Sequence, residues 1–287
     1  MGNARYSKSA FDGYSTANLY SVDGTRKSVA ETFNFSSENK DLNPVYIKVR
    51  ESRDSELNPE SRPIIFAIDF TASMGHVSHE MVNEYVPKIM SSLINGYIKD
   101  PHLMAIGIRD FKSDGNTPIQ VSQFEADHSV VEQMQAFYAP GRGGGGNEEE
   151  SYALAWAFAA FKTETDCFTK RGQKGYLFTI GDDGPQTGSL SDDQMRHLIG
   201  TGEGMSVDAM QKAASEKYDL FHIHLNRGNG ESKRIMTAWR EKLGNRAIEL
   251  HDYTKVPELV ETIISLNEGA DPTDLNIIPE VRKALNI

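Results

Sequence analysis

Apolar segments of two kinds alternate along the chain from about residue 61. Short continuous apolar runs, such as IIFAI, are typical of strands that are covered on both faces of a sheet. Longer segments with apolar residues every three or four positions are typical of amphipathic helices. The predicted strands are IIFAI (64–68), LMAIGI (103–108), PIQVSQF (118–124), GYLFTI (175–180), DLFHIHL (219–225) and AIEL (247–250). The predicted helices cover 77–96, 130–137, 151–161, 191–199, 205–217, 232–243 and 256–266.

Because strands and helices alternate, we expect an α/β fold: a doubly wound, mostly parallel six-stranded sheet with helices on both faces. This domain is predicted to span residues 61–270. Residues 1–60 are polar, carry a single candidate strand at VYIKVR (45–50), and are interpreted as an N-terminal extension or arm. The aromatic residues of this arm predict that it docks against a surface, either of a partner or of the domain itself. Residues 271–287 are interpreted as a C-terminal tail.

Composition and charge exclude several functional classes. The 287 residues carry a net charge of −11, which argues against a nucleic-acid backbone as the main partner. No apolar run approaches the roughly 20 residues of a membrane helix, and the first ten residues, MGNARYSKSA, lack the apolar segment of a signal peptide. Cys167 is the only cysteine, so no intrachain disulfide can form, and a reducing, cytoplasmic location fits best.

Three loops are unusually rich in oxygen-bearing side chains. DFTAS (69–73) and GDDGPQTG (181–188) each follow a predicted strand, and GRGGGGNEEE (141–150) precedes an apolar helix. Open parallel sheets bind ligands at the carboxyl ends of their strands, and hard oxygen donors without cysteine suit Mg²⁺ or Mn²⁺ rather than zinc. Taken alone, DFTAS could also cap a helix, but the agreement of three loops favours a metal site. His222 and His224 share one face of a strand, where packing is preferred over metal binding as the interpretation.

These motifs resemble those of the von Willebrand factor type A (vWA) domain and its metal-ion-dependent adhesion site (MIDAS). The family motif D-x-S-x-S corresponds to DFTAS, and the later Asp of the family corresponds to Asp182 in IGDDGP. The subgroup found in bacterial and phage proteins and beside alpha-kinases reads D-x-T-G-S-M-G, Y-R-D, G-G-G-D-x-x-E and I-G-D-x-P. In this chain the same order reads DFTASMG, IRD (108–110), GGGNEEE (144–150) and IGDDGP (180–185), within residues 62–267.

The resemblance implies a Rossmann-like vWA fold and a metal site whose ligands come from three loops. The implied ligands of Mg²⁺ or Mn²⁺ are Asp69, Thr71, Ser73, Asn147, Glu150 and Asp182. Asn147 stands where the family has Thr or Asp, and it offers a neutral oxygen. Glu148 and Glu149 therefore stay open as alternatives to Asn147 and Glu150 in the third loop.

The function that the resemblance implies is metal-dependent protein–protein interaction without catalysis, in which an Asp or Glu of a protein partner completes the coordination of the ion. One alternative is a Mg²⁺-dependent phosphotransfer enzyme. Asp69, Phe70 and Thr71 lack the second carboxylate of D-x-D phosphatases, and no P-loop or kinase motif is present. Another alternative is a structural component of a larger, for instance phage-encoded, assembly with the aromatic arm as its tether.

Overall fold

Twelve strands and ten α-helices are found in the described part of the chain. The computed structural model describes residues 20–25, 27–28, 31, 33, 39–94, 96–110, 117–137, 149–226, 228 and 230–287. The strands are β1 Arg50–Ser52, β2 Ser61–Asp69, β3 Asp100–Ile108, β4 Ile119–Val121, β5 Glu149–Glu150, β6 Thr163–Thr165, β7 Gly175–Gly181, β8 Gly184–Pro185, β9 Ser189–Leu190, β10 Met205–Ser206, β11 Tyr218–Leu225 and β12 Ala247–Leu250. The helices are α1 His76–Glu80, α2 Val86–Ile94, α3 Ser129–Gln135, α4 Tyr152–Phe161, α5 Asp166–Arg171, α6 Asp192–Ile199, α7 Val207–Lys217, α8 Ser232–Leu243, α9 Val256–Asn267 and α10 Pro279–Leu285.

Six of the strands form one central sheet in the order β12-β11-β7-β2-β3-β4. All neighbours are parallel except β4, which runs antiparallel to β3. The predicted strands all lie in this sheet, which confirms the expected mostly parallel six-stranded α/β fold. The remaining strands form three short pairs, β1 with β6, β9 with β10, and β5 with β8.

Helices cover both faces of the sheet. On β2, Ile64, Phe66 and Ile68 face a core that is shared with α1, α2, α3, α9 and α10. The alternate residues Ile65 and Ala67 face a second core that is shared with α4, α6, α7 and α8. A strand buried on both faces needs apolar residues at every position, which is why IIFAI has no polar alternation. A single π-helical turn, Met81–Tyr85, joins α1 to α2 within the stretch that the sequence predicts as one helix.

The described residues before β2 pack against the domain. Lys162, at the end of α4, is buried and donates from Nζ to the carbonyl oxygens of Pro44 at 3.1 Å and of Ile47 at 2.6 Å. Strand β1 then pairs in parallel with β6. The strand therefore begins at Arg50, at the end of the candidate strand VYIKVR, and residues 45–49 are not part of it.

The last residues also contribute to the core. Helix α10 lies within the predicted C-terminal tail, and Ile277 and Val281 are buried beside α9. No helix among the described residues combines the length and the apolar composition that a membrane span requires.

Candidate metal centre

The strand order reverses beside β2. The chain runs from β2 to β3 and β4 on one side, and it then returns to β7 on the other side of β2. The loops that leave β2 and β7 therefore border a crevice at the carboxyl edge of the sheet, where open α/β sheets bind ligands. Since β2 ends at Asp69 and β7 ends at Gly181, the loops DFTAS and GDDGP meet at this crevice.

A chain of hydrogen bonds crosses the crevice from Asp69 to Asp182. Asp69 Oδ1 accepts from the backbone N–H of Thr71 at 2.7 Å and from Thr71 Oγ1 at 2.6 Å. Thr71 Oγ1 lies 3.0 Å from Ser73 Oγ, which donates to Asp182 Oδ1 at 2.8 Å. The first contact is an Asx turn, in which an Asp side chain bonds the backbone two residues on and curls the loop over the end of the strand. The alternating residues Asp69, Thr71 and Ser73 thereby bring their oxygens together.

A third carboxylate, that of Asp183, joins this group. Carboxylate oxygens of Asp69, Asp182 and Asp183 lie within 4.8 Å of one another, and among the described residues no other such group of metal-ligating side chains occurs. Asp69 and Asp182 are buried, at 0% and 5% exposure, while Asp183 is partly buried. Three acidic side chains are thus held together with little solvent around them.

The electrostatics of this group favour a bound cation. Burial and the neighbouring Asp182 carboxylate raise the pKa of Asp69 to about 7. Burial and Asp182 likewise raise the pKa of Asp183 to about 6. Desolvation and like charge both disfavour the ionised carboxylates, and a divalent cation between them opposes both effects.

A glycine allows the two loops to approach each other. A Cβ atom on Gly181 would lie 1.9 Å from the hydroxyl oxygen of Tyr152 and 2.8 Å from Cβ of Asp69. No side chain fits at this position, because real Cβ contacts are never this short. The glycine that ends β7 therefore allows the Asp182 loop to lie directly against Asp69.

The structure brings four of the six sequence-predicted ligands into one group: Asp69, Thr71, Ser73 and Asp182. Asn147, with the alternative Glu148, lies outside the described residues. Glu150 is buried in β5, paired with Pro185 of β8, but it is not one of the three acids within 4.8 Å of one another.

Asp183 is the acidic residue that the sequence reasoning missed. Its signal was the doubled Asp in IGDDGP, where the subgroup pattern has a single Asp. Glu149, the other alternative for the third loop, accepts a hydrogen bond from Thr187 Oγ1 at 2.8 Å.

The histidine pair on β11 has a packing role. His222 stacks on Trp239, with ring centroids 3.5 Å apart and planes 9° apart, and its Nδ1 lies 3.0 Å from Thr179 Oγ1. Burial lowers the pKa of His222 well below its usual value and that of His224 to about 4, so both rings are neutral at pH 7. Neither histidine belongs to the acidic group at the crevice.

The donors at the crevice fit a hard divalent cation. They are carboxylates and hydroxyls, which Mg²⁺ and Mn²⁺ prefer, and soft or imidazole ligands are absent from the acidic group among the described residues. The close approach at Gly181 and the raised pKa values of two of the carboxylates agree with a site built around positive charge. A bound ion would supply an electrophilic centre for an oxygen ligand at the edge of the sheet.

Comparison with known proteins finds weak similarities to solved structures. No protein-family profile matches the chain, and no curated protein matches it. Solved structures with some similarity include the pilus adhesin SpaC from Lactobacillus rhamnosus GG in its open conformation, at 9% identity over 76% of this chain and 31% of SpaC, with a TM-score of 0.49. They also include proximal thread matrix protein 1 (PTMP1) from the mussel byssus, at 11% identity over 72% of this chain and 48% of PTMP1, with a TM-score of 0.47.

A third similar structure is the vWF domain of the type V pili tip protein Mfa5 from Porphyromonas gingivalis. It is 8% identical over 80% of this chain and 100% of that domain, with a TM-score of 0.46. The chain spans 31% of the length of SpaC and 48% of that of PTMP1. Similarity at these levels carries no argument about this chain, and its function is inferred from the residues of the crevice.

Proposed function

We propose that this chain is a metal-dependent protein-binding domain of the vWA type. It holds one Mg²⁺ or Mn²⁺ at a MIDAS-like centre through Asp69, Thr71, Ser73 and Asp182, with a ligand from the third loop. The ion in turn binds an Asp or Glu side chain of a protein partner. The observation that carries this proposal is the hydrogen-bonded chain from Asp69 to Asp182, which collects hard oxygen donors from two separate loops.

Exposure differs across the proposed ligands in a way that suits this function. Asp69 is fully buried, whereas Ser73 is exposed. An ion held on its buried side by the protein keeps water on its outer side, because Mg²⁺ usually retains several waters in protein sites. A carboxylate of the partner can replace one of those waters.

The net charge of the chain limits the attraction of an acidic partner to short distances from the ion. The chain carries −11, so its long-range field repels an acidic partner. Physiological salt screens that repulsion beyond about 8 Å. The ion therefore acts as a local positive charge at the crevice, and we expect binding to depend on the metal more than on ionic strength.

We do not expect this chain to catalyse phosphate transfer. The position two residues after Asp69 is Thr71, and the intervening Phe70 is buried in contact with Phe33 and Phe137. The loop thus lacks the second carboxylate that such phosphatases place there. Metal-dependent hydrolysis of a phosphate ester that disappears in Asp69→Ala would overturn this view and support an enzyme.

A pull-down tests the proposed function. The immobilised chain is incubated with cell extract in Mg²⁺ and in EDTA, together with the variant Ser73→Ala and the control Ser215→Ala, which removes a partly buried hydroxyl on α7. We expect capture of a partner by wild type and Ser215→Ala in Mg²⁺ only, and loss of capture in Ser73→Ala. Capture that persists in EDTA and in Ser73→Ala would contradict a metal-bridged contact.

A further inference from the structure

Two loops, DFTAS (69–73) and GDDGP (181–185), carry the proposed metal ligands and are called the ligand loops. Each of them accepts a hydrogen bond from an aromatic side chain of a helix. Tyr152, the first residue of α4, donates from its hydroxyl to Asp69 Oδ2 at 3.2 Å. Trp239, in α8, donates from Nε1 to the backbone carbonyl oxygen of Asp183 at 3.0 Å. Both bonds reach a loop from outside its own strand, so the helices on one face of the sheet contribute to the geometry of the crevice.

These two aromatic residues pack against each other. The ring centroids of Tyr152 and Trp239 lie 5.3 Å apart in an edge-to-face arrangement of 73°. His222 contacts both, stacked on Trp239 at 3.5 Å and edge-on to Tyr152 at 5.5 Å. All three side chains are fully buried, so their rotamers are fixed by close packing. The two hydrogen bonds to the loops therefore come from one packed aromatic cluster.

Tyr152 also touches the Asp182 loop directly. Its hydroxyl oxygen occupies the space where a Cβ atom of Gly181 would lie. The same hydroxyl thus contacts the end of β7 and bonds Asp69 at the end of β2. This one hydroxyl therefore contacts both strand ends at the crevice.

We propose that Tyr152 and Trp239 are positioning residues of the metal centre, which fix the separation of the Asp69 loop from the Asp182–Asp183 loop and thereby set the affinity for the ion. The inference rests on the proposed function, since it concerns the same ion. Outer-shell partners that orient metal ligands typically change metal affinity by ten- to a hundredfold when they are removed. We expect an effect of roughly that size from each of these two residues.

The chain contains a matched control for Trp239. It has two tryptophans, and the other one, Trp156, is also fully buried and lies edge-on to Trp239 at 6.0 Å. Its Nε1 has no hydrogen-bond partner within the part of the chain that the structure describes. Trp156→Phe and Trp239→Phe therefore make the same change of ring in the same cluster, but only the second removes a bond to a ligand loop.

Tyr152 has a control of the same kind. Tyr218 is buried at the start of β11, and its hydroxyl lies 2.7 Å from Thr163 Oγ1. Tyr152→Phe and Tyr218→Phe each delete one buried, hydrogen-bonded hydroxyl. Only Tyr152→Phe deletes a hydroxyl that contacts the ligand loops.

The experiment measures two quantities on the full-length chain and the four variants: the Kd for Mn²⁺ by titration calorimetry, and the urea midpoint of unfolding in EDTA. We expect both tryptophan variants to lose stability. The Kd for Mn²⁺ should rise roughly ten- to a hundredfold in Trp239→Phe and Tyr152→Phe, and by less than about twofold in Trp156→Phe and Tyr218→Phe.

Equal Kd values within each matched pair, beside tight binding by wild type, would overturn the positioning role and leave the proposed function standing. A wild-type chain that binds no Mn²⁺ would overturn both. If Trp239→Phe fails to fold, the two tyrosine variants still test the positioning role. Tyr152→Phe and Tyr218→Phe each remove one oxygen atom, and their Kd values for Mn²⁺ can be compared directly.

Discussion

Ser73 Oγ donates a hydrogen bond to Asp182 Oδ1 at 2.8 Å and so joins two loops that lie 109 residues apart in the chain. A hydroxyl that donates its hydrogen still has lone pairs to offer a cation. Ser73 Oγ can therefore keep its hydrogen bond to Asp182 and coordinate an ion at the same time. This contact is the clearest sign that the two loops form one site rather than two separate turns.

The metal-free protein should become more stable when Asp69 is replaced by Asn. The pKa of Asp69 is raised in the folded state to about 7, so the folded state keeps a proton there that the unfolded chain releases near pH 4. Stability contributed by this group is therefore present at low pH and is lost as the pH rises toward about 7.

Urea unfolding in EDTA at pH 5 and pH 8 measures this effect. We expect Asp69→Asn to exceed wild type in stability at pH 8 and the difference to shrink at pH 5. If Asp69→Asn is less stable than wild type at both pH values, the expectation is wrong. The hydrogen bonds of the Asp69 carboxylate then stabilise the fold by more than its burial costs.

Gly181→Ala should disrupt the centre. The added Cβ would clash with the hydroxyl of Tyr152 and with Asp69, so either the loop or the tyrosine has to move. We expect a loss of roughly 1–3 kcal/mol in stability, as for other overpacked cores, with weaker binding of Mn²⁺. Denaturant unfolding measures the change in stability. Gly202→Ala is the control, because Gly202 is exposed and a Cβ atom there would meet a single atom, at 3.9 Å.

The clash also predicts a rescue. Adding Tyr152→Phe to Gly181→Ala removes the nearest clashing atom, so the double variant should be less destabilised than the sum of the two single changes. Simple additivity of the two free-energy changes would mean that the two residues do not compete for the same space.

Acid should destabilise the protein through its buried histidines. Burial lowers the pKa of His102 to about 4, with Nδ1 of this ring 3.1 Å from Ser52 Oγ. Between pH 6.5 and about 4 the unfolded chain binds a proton that the folded state does not, so stability falls as the pH drops. His102→Gln should reduce this pH dependence by about 3 kcal/mol between pH 7 and pH 4. Equal pH slopes for wild type and His102→Gln in urea titrations would contradict this assignment.

The segment before β2 should loosen in Lys162→Met. Lys162 Nζ bonds the carbonyl oxygens of Pro44 and Ile47, and the change removes both bonds while keeping the apolar stem. We expect a destabilisation of about 1–3 kcal/mol and faster amide hydrogen exchange in residues 44–50. Lys217→Met is the control, because Lys217 bonds two carbonyls of residues 160 and 163, outside this segment. Comparable exchange in both variants would show that Lys162 does not anchor the segment.

Local patterns accounted for most of the central domain. Apolar runs and, in PIQVSQF, the alternation of apolar and polar residues predicted the six sheet strands, and helix bounds such as Ser232–Leu243 agree with the sequence pattern to the residue. Trp156, which the apolar pattern of α4 assigns to the core, is fully buried. These elements are predictable because burial on one or both faces leaves a period in the sequence.

Contacts between distant short segments were not predictable in the same way. Strand β1 at Arg50–Ser52 depends on β6, which lies far along the chain and is only three residues long. The hydrogen bonds of Tyr152 and Trp239 to the two loops were hidden as well, because each looks like an ordinary core residue in its helix. A single hydrogen bond from a buried aromatic side chain has no sequence period, so only the folded structure shows it.

Calorimetric titration of the full-length chain with Mn²⁺, beside Asp69→Asn and Ser73→Ala, tests the central claim most directly. Since Asp69→Asn is expected to be folded and stable, a loss of binding in that variant reports on the site itself. The account predicts one ion per wild-type chain, no measurable binding by Asp69→Asn and weakened binding by Ser73→Ala. Equal affinity of wild type and Asp69→Asn for Mn²⁺ would contradict a metal centre between β2 and β7.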